Sequence, residues 1–313
     1  MKTSNTPKIL PYLLLNIALI FSANTAIAGE PWTAPAGFPD DFEAPVDSAG
    51  LGKGQIIQGF GGKGKATRNP VIFIHGNGAD SNMFRAYARI FHHRFGYEAS
   101  ELWAFSLQGY PNRKKLENRI GKFPNPHEYA VDDIHAMVER ILDYTNKKKA
   151  TFVTYSLGAT LARHYLKKYD AYDKVDTFIS IVGANHGFIN AEKGKELEWT
   201  PESIAKLCTH ESGDETPYGK GIDSGPSVKP TKDIEITWVT LHAGRDDYIL
   251  NLDLKTYKQV DNTASPVLDG ADANISFEGK FEKKLRRPYG AHISFFSEPK
   301  LVFDALEPYL TNK

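Results

Sequence analysis

The chain has 313 residues, and its 38 basic and 38 acidic side chains cancel at neutral pH. Balanced charge leaves no global field to attract nucleic acid or an anionic membrane, so no nucleic-acid partner is expected. Cys208 is the only cysteine, which excludes a disulfide within the chain and leaves its stability to packing.

The first 28 residues have the pattern of a secretory signal peptide. Two lysines supply the positive start, residues 9–21 form the apolar middle, and residues 26–28 (Ala-Ile-Ala) have the small side chains of a cleavage site. The apolar stretch is too short to span a bilayer comfortably, and an uncleaved membrane anchor is the alternative. We expect cleavage near Ala28, a secreted or periplasmic protein, and one folded domain over residues 29–313.

Residues 29–65 are rich in Gly, Pro and Asp and have weak periodicity, which predicts an irregular arm or short edge strands. Within this arm, residues 54–64 are expected to form a loop. Residues 59–62 (Gly-Phe-Gly-Gly) neither follow a strong strand nor open a helix, so they do not fit a dinucleotide fingerprint. No cofactor is expected.

From Pro70 onward, short apolar runs alternate with amphipathic segments, a pattern typical of a mostly parallel sheet with helices on both faces. The predicted fold class is therefore α/β. The predicted strands are residues 71–74, 102–105, 151–154, 175–182 and 234–241. The predicted helices are residues 81–94, a segment from Pro126 to the lysine run at 147–149, residues 157–169 and residues 299–310.

The alternation breaks at residues 188–233, where Gly, Pro and charged residues dominate and only residues 202–207 have a helical pattern. A stretch of this length between sheet elements is usually functional or disordered. We interpret it as a lid or wall over a site, with a simple surface insertion as the alternative.

The strongest local signal is the strand at 151–154, which continues through Tyr155 into Ser156 and then into a helix. A nucleophile elbow needs this strand, sharp turn and helix, which expose a serine hydroxyl above the sheet. The amide of Leu157 then lies at the helix start, where N–H groups and the helix dipole stabilise an oxyanion. The usual pattern is Gly-x-Ser-x-Gly, and Thr154 replaces its first glycine. Without this context, such a serine is more often an ordinary helix cap.

A second signal is the segment His-Gly-Asn-Gly at 75–78, directly after the first strong strand. A loop after an early strand supplies the second oxyanion donor in such folds, and small residues let its backbone approach the substrate. We predict that the backbone N–H of Asn77 is this donor. His75 precedes the serine, so we expect it to hold the loop by hydrogen bonds.

Chain order selects the general base, because sheets with such an elbow place the serine first, the acid next and the histidine last. Of the ten histidines, five precede Ser156. Four others lie on the following helix, in a turn after a strand, in the insertion, or beside the acid. Only His292 falls late, on a loop before the final helix, and we predict that it is the base.

The acid is expected after the strand at 234–241, where Asp246 and Asp247 are adjacent. The spacing Gly-x-x-Asp-x-Ile favours Asp247, with Ile249 packing inward, and Asp246 stays open as the alternative. One nucleophile, one base and one acid make a complete set for attack on a carbonyl carbon. No histidine or cysteine spacing indicates a zinc site, so no metal is expected.

Several of these segments resemble known families. Residues 70–78 resemble the opening of the class 2 triacylglycerol lipases and of an extracellular polyhydroxybutyrate depolymerase group. Residues 59–62 are similar to the depolymerases, whereas residues 183–187 and 213–217 are similar to the lipases. Some lipases that resemble yeast lipase B also carry threonine at the position of Thr154. The resemblance spans roughly Gly59 to His292 and implies an α/β-hydrolase fold and a serine ester hydrolase.

Three hypotheses remain open at this stage. The first is a lipase or carboxylesterase that acts on a lipid or other ester, with transient contact to a lipid surface and the insertion at 188–233 over its site. The second is a depolymerase that acts on solid polyester through a shallow site with an exposed apolar patch. The third is a noncatalytic binding protein on a hydrolase fold. Amides, thioesters and lactones would use the same machinery.

Overall fold

A computed structural model describes residues 42–43, 58–61, 64–76, 79, 81–105, 107, 126–186, 234–253, 256, 258–268, 270–281 and 290–311. The strands are β1 (Phe42–Glu43), β2 (Gln58–Gly61), β3 (Val71–Ile74), β4 (Leu102–Phe105), β5 (Ala150–Tyr155), β6 (Val175–Ile181), β7 (Thr237–His242), β8 (Leu252–Asp253), β9 (Lys258–Gln259) and β10 (Ala273–Ser276). The α-helices are α1 (Arg85–Phe95), α2 (Pro126–Thr145), α3 (Leu157–Lys168), α4 (Ser294–Ser297) and α5 (Pro299–Leu310).

The main sheet has eight strands in the order β1-β2-β4-β3-β5-β6-β7-β10. The strands from β4 to β10 in this order run parallel to one another. The strands β1 and β2 are added antiparallel at one edge. The short strands β8 and β9 pair separately as an antiparallel ribbon. The fold is thus α/β with a mostly parallel sheet, as the sequence predicts.

Apolar side chains cover both faces of this sheet. Successive residues of a strand point to opposite faces, so Phe152 packs on one side with α2 and α3, and Val153 packs on the other with α1 and α5. Strands covered on both faces have continuous apolar sequences, and every residue of β3, β4 and β5 is buried.

The strand order reverses at β3, which has β4 on one side and β5 on the other. In open α/β sheets, ligands bind outside the carboxyl ends of the strands at such a switch point. The residues directly after β3 and β5 are His75 and Ser156. The topology therefore brings the two strongest sequence signals to one edge of the sheet.

Most predicted elements are confirmed within a few residues. The helix predicted from Ser81 begins as a 3-10 turn at Ser81–Phe84 before α1. The helix predicted from Pro126 ends at Thr145, and β7 begins three residues later than expected. Within the described residues, no helix has both the length and the apolar character needed to cross a membrane.

The loop prediction for residues 54–64 is wrong at β2. The backbone of residues 59–61 pairs with β4, and the ring of Trp103 lies against Gly61, where a β-carbon would collide with it. Phe60 is fully buried in the core. Gly61 therefore permits close packing within a strand, where the composition predicted a loop.

The sequence also did not predict β10, the strand at the other edge of the sheet. Its side chains alternate between half-buried and exposed, and polar residues such as Asn274 occupy the exposed positions. A short polar edge strand has no apolar run to reveal it, and it forms because its backbone pairs with β7.

Several predictions fall on residues that lie outside the described ranges. These are the signal peptide at 1–28, the lid at 188–233 with its helix at 202–207, and the positions Asn77 and Cys208. Of the predicted arm at 29–65, only residues 42–43, 58–61 and 64–65 are described.

Candidate active site

Ser156 occupies the sharp turn between β5 and α3. Its backbone has φ 52° and ψ −124°, a conformation that non-glycine residues rarely adopt and that nucleophile elbows use. The amide of Ser156 donates to the carbonyl of Ile181 at 2.9 Å, which ties the turn to the end of β6. Leu157 is the first residue of α3, so its N–H group lies in the first turn, where helix amides have no partner within the helix.

Thr154, which replaces the first glycine of the elbow, has a small neighbour. Thr154 pairs with Ser180 on β6, and its hydroxyl donates to the backbone carbonyl of Ile179 at 2.9 Å. Gly158, the second glycine of the pattern, cannot be replaced in the same way. A β-carbon at Gly158 would lie 2.5 Å from the carbonyl oxygens of Ile74 and His75.

His292 joins the serine to an aspartate. Its Nε2 lies 3.0 Å from the Oγ of Ser156, and its Nδ1 lies 2.8 Å from the Oδ2 of Asp247. The side chains of His292 and Asp247 are almost completely buried. The carboxylate can only accept a hydrogen bond, so Nδ1 carries the proton and Nε2 is free to accept from the serine hydroxyl.

Asp247 and Asp246 lie in different surroundings after β7. The Oδ1 of Asp247 accepts the backbone N–H of Leu250 at 3.0 Å, which leaves Oδ2 for the histidine. Asp246 accepts the backbone N–H of Gly279 at 2.7 Å on the exposed side of the loop. The structure therefore brings Asp247 to His292 and leaves Asp246 facing a different turn.

His75 and Gly76 form the other wall of the elbow. The Nδ1–H of His75 donates to the carbonyl of Gly76 at 2.8 Å, and its Nε2 accepts the backbone N–H of Leu107 at 2.8 Å. A β-carbon on Gly76 would lie 2.9 Å from the Cβ of Ser156, so only glycine allows this approach. Both contacts fit a loop that is held against the nucleophile.

Two residues near the site had no sequence signal. His242 is the last residue of β7. Burial lowers the pKa of its imidazole, and the nearby charges of Glu278 and Asp247 act in the opposite direction. Tyr155 immediately precedes the serine, and its hydroxyl donates to the backbone carbonyl of His292 at 3.2 Å. Its partner is 137 residues away in the sequence, so no local pattern indicates this contact.

Two other histidines near the site, His186 and His164, fit structural roles. The Nε2 of His186 lies 2.7 Å from the backbone carbonyl oxygen of Val267, and its backbone N–H donates to the carbonyl of Ser265. His164 is buried on α3. Among the described residues, no three His, Cys, Asp or Glu side chains gather as a metal site would require.

The family model described as Lipase (class 2) matches residues 68–216, a little under half of the chain. The match contains His75 and the whole elbow, and it ends before Asp247 and His292. A search among curated proteins found no match.

Solved structures are similar at low sequence identity. Bacillus licheniformis lipase BlEst2 in its mature form is 16% identical with a TM-score of 0.51, over 80% of this chain and 95% of that chain. Aspergillus fumigatus lipase B is 14% identical with a TM-score of 0.41, over 69% and 46%. Bacillus subtilis naproxen esterase is 14% identical with a TM-score of 0.44, over 99% of both chains. The similarity to BlEst2 concerns the fold alone.

Three observations agree with one another: the order of the strands, the elbow after β5 and the match over residues 68–216. The chain has the α/β-hydrolase fold, and its residues 68–216 match the class 2 lipase family.

Proposed function

We propose that this protein is an exported hydrolase that cleaves carboxylic esters through an acyl-enzyme on Ser156. His292 acts as the general base and then as the general acid, and Asp247 orients it. The observation that supports this proposal is a continuous chain of hydrogen bonds. It runs from the serine Oγ to His292, at 3.0 Å, and from His292 to Asp247, at 2.8 Å.

Each half of the proposed reaction needs one proton transfer to His292 and one from it. As the Oγ of Ser156 attacks the ester carbonyl, its proton passes to the Nε2 of His292. The imidazolium then gives this proton to the departing alcohol, and the acyl group stays on the serine as an ester. Water attacks that ester in the second half, and its proton returns through the same nitrogen. Asp247 stays ionised throughout and stabilises the imidazolium.

The negative oxygen that forms during each attack needs preorganised donors. The N–H of Leu157 at the start of α3 is one candidate, because the helix dipole adds to its hydrogen bond. The backbone N–H of Asn77 is the proposed second donor. The close approach of Gly76, its neighbour in the chain, to Ser156 supports this proposal.

The test is hydrolysis of p-nitrophenyl esters with short, medium and long acyl chains by the mature wild type and by Ser156→Ala. We expect turnover by the wild type and a loss of at least about 10³-fold in kcat in the variant, which retains only oxyanion stabilisation and binding. Inactivity of both folded proteins on every ester would contradict the proposal and favour a noncatalytic binding protein.

A suspension of polyhydroxybutyrate in the same assay separates the alternative function. The similarity of residues 59–62 to the depolymerases motivates this alternative. However, the described part of that motif, residues 59–61, pairs with β4, and the contact with Trp103 accounts for Gly61 without a polymer. Release of soluble product from the suspension by the wild type, but not by Ser156→Ala, would establish a depolymerase.

A further inference from the structure

Tyr155 connects the two reacting side chains of the proposed mechanism. It is the last residue of β5, so its backbone leads directly into Ser156. Its side chain crosses to His292, where the hydroxyl donates to the backbone carbonyl at 3.2 Å and the two ring centroids are 5.2 Å apart. One rigid side chain therefore links the nucleophile's strand to the turn that carries the base.

The surroundings fix this tyrosine in one orientation. Tyr155 is almost completely buried, and the ring of Phe296 meets it edge-on with centroids 4.8 Å apart. The residues on either side, Thr154 and Ser156, are held to β6 through the carbonyls of Ile179 and Ile181. A side chain with only two rotatable bonds, packed on all sides, transmits position with little freedom.

The hydroxyl stays protonated under all ordinary conditions. Burial raises the pKa of Tyr155 well above the ordinary value for tyrosine, and the nearby charge of Asp247 acts in the same direction. A protonated phenol is a hydrogen-bond donor, and a carbonyl oxygen can only accept. The contact with His292 is therefore a permanent donor–acceptor pair.

His292 needs such support because the segment that carries it is short. It ends a single 3-10 turn at residues 290–292, and α4 spans only four residues. The bond from Nδ1 to Asp247 fixes one end of the imidazole, and a rotation about this end would move its Nε2 relative to the serine. A small misplacement of a catalytic group lowers the rate far more than it lowers stability.

We propose that Tyr155 is a positioning residue, which holds the Nε2 of His292 in line with the Oγ of Ser156 through its hydrogen bond to the histidine's own carbonyl. The inference rests on the proposed function, because it assigns a role within the same triad. The hydroxyl of Tyr155 bonds to the backbone carbonyl of His292, so it takes no part in the proton transfer at Nε2.

A matched pair of variants tests this role. Tyr155→Phe removes the hydroxyl and keeps the ring. Tyr87→Phe makes the same chemical change at a second buried tyrosine, whose hydroxyl donates to the carbonyl of Phe295 at 2.9 Å, three residues beyond the histidine. Each variant loses one buried hydrogen bond to the same short segment, so both should lower the melting temperature by similar amounts.

The kinetic effects should differ. We expect Tyr155→Phe to lower kcat about tenfold with KM unchanged, because the misplaced base affects the transition state and not ester binding. Tyr87→Phe should change kcat by less than about twofold. An unchanged kcat in Tyr155→Phe, or an equal fall in both variants, would show that the hydroxyl only stabilises the segment.

A second measurement uses the resting protein and needs no substrate. A proton shared between an imidazole Nδ1 and a carboxylate resonates far downfield in a proton NMR spectrum, and His292→Gln identifies the signal by its loss. We expect this resonance to shift or broaden in Tyr155→Phe and to stay in place in Tyr87→Phe. A resonance unaltered by Tyr155→Phe overturns the inference.

Wild-type inactivity on every ester would instead contradict the proposed function, and the NMR result would still decide the positioning of His292.

Discussion

At the scale of single residues, the site depends on which atom of each side chain faces its neighbour. Asp247 uses one carboxylate oxygen for the N–H of Leu250 and the other for His292, whereas Asp246 accepts the N–H of Gly279. The two aspartates are adjacent in sequence and differ both in these partners and in burial, since Asp247 is buried and Asp246 is half-buried. Substituting each in turn therefore isolates the contact with the histidine.

Asp247→Asn should lower kcat by about 10⁴-fold, because an amide in this position favours the wrong tautomer of His292 and cannot stabilise its charged form. Asp246→Asn, the matched control, should change kcat by less than about threefold, since its carboxylate contacts a surface turn. Steady-state hydrolysis of one p-nitrophenyl ester measures both. A larger loss in Asp246→Asn would move the acid to that residue.

His75 is a buried residue whose two ring nitrogens are both occupied by backbone groups. His75→Ala should lower the free energy of unfolding by about 2 kcal/mol, because the N–H of Leu107 is left buried without its acceptor. Urea denaturation measures this change. The residual activity should not respond to added imidazole, in contrast to that of His292→Ala, and a response in His75→Ala would mean that His75 transfers protons.

At the scale of elements, one carboxylate ties the entry of β3 to the start of β4. Glu101 is buried in the 3-10 turn before β4 and accepts the backbone N–H groups of Thr67, Arg68 and Glu98, together with the hydroxyl of Thr67. Burial acts to raise the pKa of Glu101, but these hydrogen bonds to the charged form outweigh it and hold the pKa below its ordinary value.

This lowered pKa makes the stability of the protein depend on pH. The stabilising contribution of Glu101 is complete above the pKa of the unfolded chain, about 4.3, and is lost as the pH falls through the lower pKa of the folded state. We expect Glu101→Gln to be less stable than the wild type at pH 7, and the difference should shrink as the pH falls below about 4. Chemical denaturation at a series of pH values tests this, and a constant difference would contradict it.

At the scale of the whole molecule, the parallel sheet collects the site from distant parts of the chain. Ser156 follows β5 and Asp247 follows β7, so both lie at the carboxyl edge of the sheet. His292 reaches them from the turn before α4, after a separation of 45 residues from the aspartate. The cost of closing such long loops grows slowly with length, so a rigid sheet can assemble these residues at little extra cost.

The proposed export concerns the whole chain and has its own test. When the full sequence is produced in a bacterium with a general secretion pathway, we expect the mature protein to begin at Gly29, which intact-mass measurement shows directly. Ala28→Arg is the matched control and should block this cleavage, because the cleavage site requires a small side chain. A full-length product that retains the first 28 residues would favour the uncleaved anchor.

The sequence by itself determined the features that depend on nearest neighbours. Apolar runs and amphipathic periods predict most strands and helices, since each residue's burial follows from its place in a strand or helix. The elbow at Ser156 is equally local, and the order of residues in the chain leaves His292 as the late histidine.

Only the tertiary structure decided that β2 and β10 join the sheet, that Asp247 rather than Asp246 reaches His292, and that Tyr155 contacts the histidine backbone. These contacts join residues far apart in the chain, and the packing of the whole core sets the distances between them. The local spacing of apolar residues in the sequence does not predict such distances.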